Sequence, residues 1–567
     1  MTRTTGAFAA AGLALLAGTS MAGAADVTFE RLSKPEPRNW LMNHGDYSAH
    51  RYSALDRINK SNVKNLRFAF SVALGQKGGN ENLLATPLVD DGFMYMTDAW
   101  GMLYKIDVRS GTSGPIVWKM DPGQAKMDRN RGAALWGNLV ISVTSHDGRV
   151  VATDKETGKI VWEKNLRDQP DMTLNAAPLA LRDSILIGAS GGDQGVRNWM
   201  VALEAKTGNE LWRFHTIPGP GEPGHESWKD KNNAWQTGGG AFYVTGSYDP
   251  ATNTTYWGSG NPSPKYDSSY RPGDNLYTNS ALALDAATGK LRWYHQYTPN
   301  DTMDYDEAGS HILIDTKVNG EDRKTVVRAA RNGFAYSFDR QSGQFLKATQ
   351  YVSKVTWTRG IDPKTGRPVD YDPAKDLQTY AEPIAKMLTG AKASFCPGVP
   401  GGNNFWSAAY SRRTNLLYIP DLEGCTSAIR DQAAHVRGKY DGGSFSYDGR
   451  MTSHLVVYDP SSGEVKSRKE MPYPNAAGVL ATAGGLIFTA MLDGTIVALD
   501  DQTLEELWSI NVGTGINAHP ITYEVDGKQY LAIATGLTRN QVGRIANSPE
   551  LRNLAKHTTM LFVFALQ

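Results

Sequence analysis

The sequence predicts an all-β fold, an eight-bladed β-propeller of Trp-docking-type repeats closed by strands from the two chain ends. Three observations predict it. The 567 residues include 58 Gly, 14 Trp and 25 Tyr, a mixture of tight turns and large packing side chains suited to many short strands. One hairpin unit recurs along the chain, and two strand-like segments are left over at its ends.

The best copies of the unit are V-V-A-T-D-K-E-T-G-K-I-V-W ending at Trp162, M-V-A-L-E-A-K-T-G-N-E-L-W ending at Trp212, A-L-A-L-D-A-A-T-G-K-L-R-W ending at Trp293, and I-V-A-L-D-D-Q-T-L-E-E-L-W ending at Trp508. Weaker copies occupy 103–111, 335–343 and 455–463. Each reads as a strand, an acidic turn closing on Gly, and a second strand ending in an aromatic residue. The Gly supplies the positive φ that the turn needs. Asp154, Asp285 and Asp500 are therefore turn formers and not ligands. Seven copies at this spacing match four-stranded blades, and their evenness argues against a β-sandwich array. The segments 65–74 and 560–566 lie outside the seven and are expected to pair into an eighth blade.

Long stretches rich in Pro, Gly and Asn interrupt the rhythm at about 216–240, 261–275 and 350–405. Loops of that length in a compact domain are usually functional, so one face of the ring is expected to carry the site. A formal net charge of +1 with 21% charged residues leaves no electrostatic footprint for nucleic acid or an anionic membrane.

The N-terminus has Arg3 ahead of a short apolar run and then M-A-G-A-A-D, the pattern of an export signal cut near Ala24 or Ala25. An uncleaved anchor is the alternative. Residues 1–25 are read as the signal and 26–567 as one propeller domain in the periplasm, with no later run long enough to span a membrane. Cys396 and Cys425 are the only cysteines. In an oxidising compartment such a pair predicts a disulfide, with two free buried thiols as the alternative. Neither C-x-x-C-H, C-x-x-C nor H-E-x-x-H occurs, which argues against covalent haem and common zinc sites.

The stretch Y-T-P-N-D-T-M-D-Y-D-E-A-G (297–309) puts four carboxylates, Asp301, Asp304, Asp306 and Glu307, within seven residues. If it is extended, Asp304 and Asp306 share a side. Two like charges on one side repel unless a positive group lies between them.

With these motifs on the page, the chain resembles the pyrroloquinoline quinone (PQQ) dependent methanol and ethanol dehydrogenase family over nearly its whole mature length. The resemblance rests on H-R-Y-S-A-L-D-R-I-N-K-S-N-V-K-N-L (50–66), Y-W-G-S-G-N-P-S-P (256–264), R-P-G-D-N-L-Y-T (271–278) and L-A-T-A-G-G-L-I-F (480–488). It implies one PQQ and one Ca2+ or lanthanide ion on the propeller axis. Matched motif by motif, Asp193, Asn261, Asp304 and Asp306 fall at metal-ligand positions, with Asp304 also the catalytic base and Arg331 the cation beside the reacting carbonyl. Arg131, Asn175, Ser190, Gly191, Gly192, Tyr243, Arg331, Asn404 and Trp406 fall at cofactor contacts. Hard cations take oxygen ligands, a Lewis acid polarises a carbonyl, and a carboxylate can take the alcohol proton. Taken singly, Asn261 before Pro or Asp193 after two glycines reads as a turn residue, Arg331 as a surface arginine and Trp406 as core. Only the chain-long match gives them roles.

The chain departs from the family pattern at four places. Ala125 and Lys126 stand where adjacent cysteines are expected, Tyr243 replaces a stacking Trp, Ala476 replaces another Trp, and Leu84 replaces an acidic residue. These differences imply a wider entrance and a substrate bulkier than methanol, such as a secondary or polycyclic alcohol of the mycotoxin type. Asp304-Tyr305-Asp306 has the D-Y-D pattern associated with lanthanides, while calcium is the common ion, so both are open. The resemblance implies hydride transfer from a small-molecule alcohol to PQQ and electron transfer to a soluble cytochrome c, by a monomer or homodimer. A quinoprotein sugar or polyol dehydrogenase and a non-catalytic propeller scaffold are the rival readings.

Overall fold

The computed structural model describes residues 1–2, 25–75, 83–318, 320–431, 440–536, 551, 554 and 559–567. The export signal expected over 1–25 lies almost wholly outside the described residues. Among them, eight sheets are built on four strands each, one with a short fifth strand, and a ninth sheet has three. The sheet of Ala134–Trp136, Leu139–Thr144, Arg149–Asp154 and Ile160–Asn165 shows the common plan. Its strands pair antiparallel in sequence order. The second strand is buried at every position, while the last has mostly exposed residues. Val and Ile fill the buried strands because β-branched side chains pack well on a pleated surface.

Each repeat hairpin is folded by its own sequence. The Asp154 carboxylate accepts hydrogen bonds from the Glu156 and Thr157 amides and the Thr157 hydroxyl. Asp285 repeats this with Ala287 and Thr288, and Asp500 with Gln502 and Thr503. These aspartates are turn formers, with their acceptors already used. Gly158, Gly208, Gly289 and Gly343 follow with φ between 70° and 74°. The last copy has Leu504 at this place, with φ 59°.

The repeat also joins one sheet to the next. The Trp ending one unit lies on the turn Gly of the following unit: an added Cβ would come within 2.7 Å of Trp118 at Gly158, 2.7 Å of Trp162 at Gly208 and 2.6 Å of Trp293 at Gly343. Its indole N–H donates to a carbonyl of that same turn, Trp118 to Lys155, Trp162 to Ala205, Trp212 to Ala286 and Trp293 to Arg340. Trp and Gly are thus two halves of one joint. The Trp508 indole donates to Leu66, in the strand Leu66–Leu74, which pairs antiparallel with Thr559–Leu566. The two chain ends share a sheet, as expected.

The interruptions form the rim. The segment between Phe345–Gln350 and Ala409–Ser411 carries the short helix Glu382–Leu388. The three-stranded sheet of Ala393–Phe395, Thr426–Arg430 and Gly443–Tyr447 is pinned by a disulfide between Cys396 and Cys425. No helix among the described residues is long and apolar enough to cross a membrane.

Candidate active site

The rim loops and inner strand ends enclose a cavity of ≈ 630 Å³, within the range of small-molecule sites. All thirteen residues singled out in the sequence line it: Arg131, Asn175, Ser190, Gly191, Gly192, Asp193, Tyr243, Asn261, Asp304, Asp306, Arg331, Asn404 and Trp406.

The acidic stretch reaches the cavity by a different geometry from that expected. Residues 301–309 form no strand. Asp301 is buried, and its carboxylate accepts the Met303 and Tyr305 amides at 3.0 Å each. That turn forces Asp304 to φ 64°, a left-handed conformation that Asp tolerates better than most residues. Asp304 and Asp306 line the same cavity because of this turn and not because of strand alternation.

Asp301 and Glu307, which local sequence reads as loop residues, lie under the site. Glu307 is fully buried, 3.3 Å from the Arg328 guanidinium, and accepts the Arg331 amide at 3.1 Å. Burial pushes its pKa up to about 7, against the pull of Arg328. Glu307 therefore fixes the backbone from which Arg331 projects. The Arg331 guanidinium is held in turn by the Val399 carbonyl and by the Asp306 carboxylate. Asp306 also accepts the Asn261 amide at 3.0 Å, so both its oxygens already face protein donors.

Burial raises the Asp304 pKa well above its ordinary value, opposed by Lys265 and Arg331. The Lys265 ammonium lies 3.7 Å from Asp304, 3.5 Å from Asp193 and 2.8 Å from Asp441. Burial works against the charge of Asp193 also, yet Lys265 and a hydrogen bond with the Asn261 amide hold its pKa below the usual value. Arg271, itself buried, donates to the carbonyls of Pro264, Lys265 and Asp301. It thereby ties the Asn261–Lys265 segment to the turn that carries Asp304.

Across the cavity, Arg131 is buried and pairs with no carboxylate among the described residues. It makes one hydrogen bond of 3.4 Å to the Asn175 carbonyl, and its Nε has none. Burial pulls its pKa down to about 10. It lies 5.1 Å from the ring centroids of both Tyr243 and Phe405. The Tyr243 hydroxyl donates to Asn404 at 3.4 Å, and Trp406 is buried with its N–H on the Pro420 carbonyl. Gly191, with φ 96°, turns against the Asp171 carbonyl where a Cβ would collide.

A buried guanidinium lacking an anion fits a ligand that brings carboxylates. Asp193, Asn261 and Asp304 offer the oxygen donors that a hard cation requires. Of the four departures, Leu84 and Tyr243 line the cavity, Ala476 is buried in the cluster behind Phe405 and Trp406, and Ala125 and Lys126 do not line it.

Sequence reasoning missed Lys265, Asp441, Phe445 and Tyr447, which also line the cavity. Lys265 follows Asn261 closely enough, four residues on in the same loop, to have been noticed. Asp441, Phe445 and Tyr447 arrive with the three-stranded sheet, and nothing in their own segment points to a site.

Comparison with known proteins agrees with this geometry. Residues 40–353 and 457–531 match the family described as PQQ glucose/ethanol/alcohol dehydrogenase, β-propeller domain. The quinoprotein alcohol dehydrogenase PedH of Pseudomonas putida is 34% identical over 550 residues, covering 92% of this chain and 90% of that protein. The quinohemoprotein alcohol dehydrogenase of Comamonas testosteroni is 34% identical over 550 residues, covering 90% of this chain and 74% of the relative. Its crystal structure superposes with a TM-score of 0.84 at 31% identity, over 93% of this chain and 80% of that one. A europium-containing methanol dehydrogenase gives 0.85 at 30% identity, over 95% of this chain and all of that one. A four-stranded-sheet ring, two buried arginines and an oxygen-donor set around one cavity thus meet a match over most of the sequence, and the chain belongs to the PQQ-dependent glucose/ethanol/alcohol dehydrogenase family.

Proposed function

We propose that this protein is an exported quinoprotein that oxidises bulky secondary or polycyclic alcohols in the periplasm and passes the electrons to a soluble cytochrome c. One observation carries the site assignment: a single cavity gathers the Arg131 guanidinium, which pairs with no carboxylate among the described residues, the Asp193–Asn261–Asp304 oxygen set and the Asp304–Arg331 pair. Bound PQQ supplies the hydride-accepting chemistry, and a bound Ca2+ or lanthanide ion polarises it.

The chain's own residues do the rest. Arg131 and the amides of Asn175 and Asn404 would orient the cofactor, with Tyr243 and Trp406 lining its cavity. Asp193, Asn261 and Asp304 would hold the ion, with Asp306 kept beside them by Arg331. Asp304 accepts the proton of the alcohol hydroxyl at its free oxygen. A cation next to it favours the ionised form that burial opposes. Arg331, 4.0 Å from Asp304, stabilises negative charge developing opposite the base. Ala476 behind the wall and Leu84 on it support the wider, more apolar entrance that a bulky alcohol needs. The N-terminal export pattern supports the periplasmic location.

The test is reconstitution. The purified protein, given PQQ with Ca2+ or La3+, is assayed by dye reduction with methanol, ethanol and a series of secondary and polycyclic alcohols. PQQ-dependent turnover favouring the bulky alcohols is expected, and a strong preference for methanol and ethanol would overturn the substrate assignment. Asp304→Asn lowers kcat by about 10²–10⁴ while PQQ still binds, as general-base removal predicts. Turnover within about tenfold of wild type would remove Asp304 as the base.

A further inference from the structure

Among the described residues, Lys265 is the one lysine on the cavity wall, and its side chain is only 10% exposed. Its ammonium has three N–H groups and three carboxylates around it: Asp441 at 2.8 Å, Asp193 at 3.5 Å and Asp304 at 3.7 Å. Two of the three belong to the oxygen set assigned to the ion. The backbone at this position is fixed by Arg271 through the Lys265 carbonyl at 2.9 Å. Asp441, in the turn just ahead of the rim-sheet strand Gly443–Tyr447, pairs with the ammonium from outside. The charge is therefore fastened beside the cation site and does not swing over it as a free surface lysine would.

Charge counting gives this placement a consequence. Asp193, Asp304, Asp306 and Asp441 bring four negative charges, against the positive charges of Lys265 and Arg331. Removal of Lys265 makes these surroundings more negative by one charge, a change from which a trivalent ion gains more than a divalent one. We propose that Lys265 sets the ion preference of this site, its ammonium disfavouring trivalent relative to divalent cations. This rests on the reading of Asp193, Asn261 and Asp304 as the ion's ligands. It sets a counterweight to the D-Y-D pattern, because the second aspartate is balanced by Arg331 and the first by Lys265.

A trivalent ion meets one more unit of repulsion from Lys265 than a divalent ion does. Across several ångströms at an effective dielectric of about 20, one unit of charge changes an affinity on the order of 100-fold, and water in the cavity reduces this to at least about tenfold.

Metal binding to the PQQ-loaded protein tests the proposal without turnover. Ca2+ and La3+ are titrated separately by calorimetry into metal-stripped wild type, Lys265→Met, Lys265→Gln, Lys265→Arg and Asp193→Asn. The ratio of La3+ to Ca2+ affinity is expected to rise at least about tenfold in Lys265→Met and Lys265→Gln, and to stay within about threefold of wild type in Lys265→Arg. Asp193→Asn should weaken both ions. If Asp193→Asn changes neither affinity, the ligand assignment fails and the proposal with it. If Asp193→Asn weakens binding but the folded Met and Gln variants keep the wild-type ratio, the ligands stand and the role of Lys265 is overturned. A shift in Lys265→Arg equal to that in Lys265→Met would likewise overturn it, since charge would not be the cause. Circular dichroism and PQQ absorbance establish which variants are folded and loaded, and either neutral variant suffices.

Discussion

Substituting Gly208 by Ala tests whether the Trp–Gly joint organises the ring. The Gly208 φ is 74°, and an added Cβ would meet Trp162 at 2.7 Å. Gly513 is the natural control, because its φ is 76° and its Cβ would meet nothing within 4 Å. Both variants incur the left-handed strain of about 1–2 kcal/mol, reduced by up to about 1 kcal/mol because Ala has less freedom than Gly in the unfolded chain. Only Gly208→Ala adds overpacking, typically about 1–3 kcal/mol. The indole has little room to retreat, since its N–H is held by the Ala205 carbonyl at 3.2 Å. The expected losses are thus about 1 kcal/mol for Gly513→Ala and about 3 kcal/mol for Gly208→Ala. Urea unfolding followed by tryptophan fluorescence and circular dichroism measures both. In a Trp162→Leu background the Gly208→Ala cost should shrink to about that of the control, the coupling expected of residues in contact. Equal losses for the two alanine variants, or no coupling to Trp162, would refute the joint.

Two further predictions concern the disulfide and a His–Asp pair between neighbouring strands. Replacing Cys396 and Cys425 by Ser opens a loop of sequence separation 29, and closure entropy predicts a loss of about 3–4 kcal/mol in urea unfolding; an unchanged midpoint would show that the rim sheet does not need the bridge. The second prediction concerns His454, whose pKa is raised above 6.5 by its hydrogen bond to Asp421, with Glu423 adding to the pull. Asp421 lies 3.2 Å from the His454 ring, and its own reluctance to ionise when buried keeps a proton between the two. A raised folded pKa means the contribution is complete below the unfolded value and is lost as pH rises through the folded one. The Tm of wild type minus that of His454→Gln should therefore fall as pH increases above about 6.5, and a flat difference would refute the shared proton.

The ring was legible in the sequence because its information is local and periodic. An Asp that caps its own turn, a Gly that turns it and a Trp that docks on the next Gly all lie within one unit, so reading a unit reads a joint. The end strands were legible as the segments the repeat leaves over. The candidate site was legible only where its residues sit in long matched motifs, as with Asn261 in Y-W-G-S-G-N-P. Lys265, Asp441 and Tyr447 were missed because the cavity brings together an inserted loop and a rim sheet, and no spacing along the chain records that meeting. Extended geometry for Asp304 and Asp306 failed for a local reason. Asp301 bonds the two amides that follow it, and side-chain alternation cannot anticipate a turn made by the same residues' carboxylates.

The four carboxylates of 301–307 are explained by separate partners and not by one counter-charge. Asp301 is neutralised largely by backbone amides and shapes the turn. Glu307 faces Arg328 and the Arg331 amide, below the cavity. Asp306 takes the Arg331 guanidinium, and Asp304 alone looks onto the Lys265 side, where an ion would join it. Burying four carboxylates so close together is costly unless each has its own donors. In the proposed function the acidic stretch would thus be a base on a foundation: two carboxylates build the turn and seat the arginine, one orients the guanidinium, and Asp304 lines the cavity.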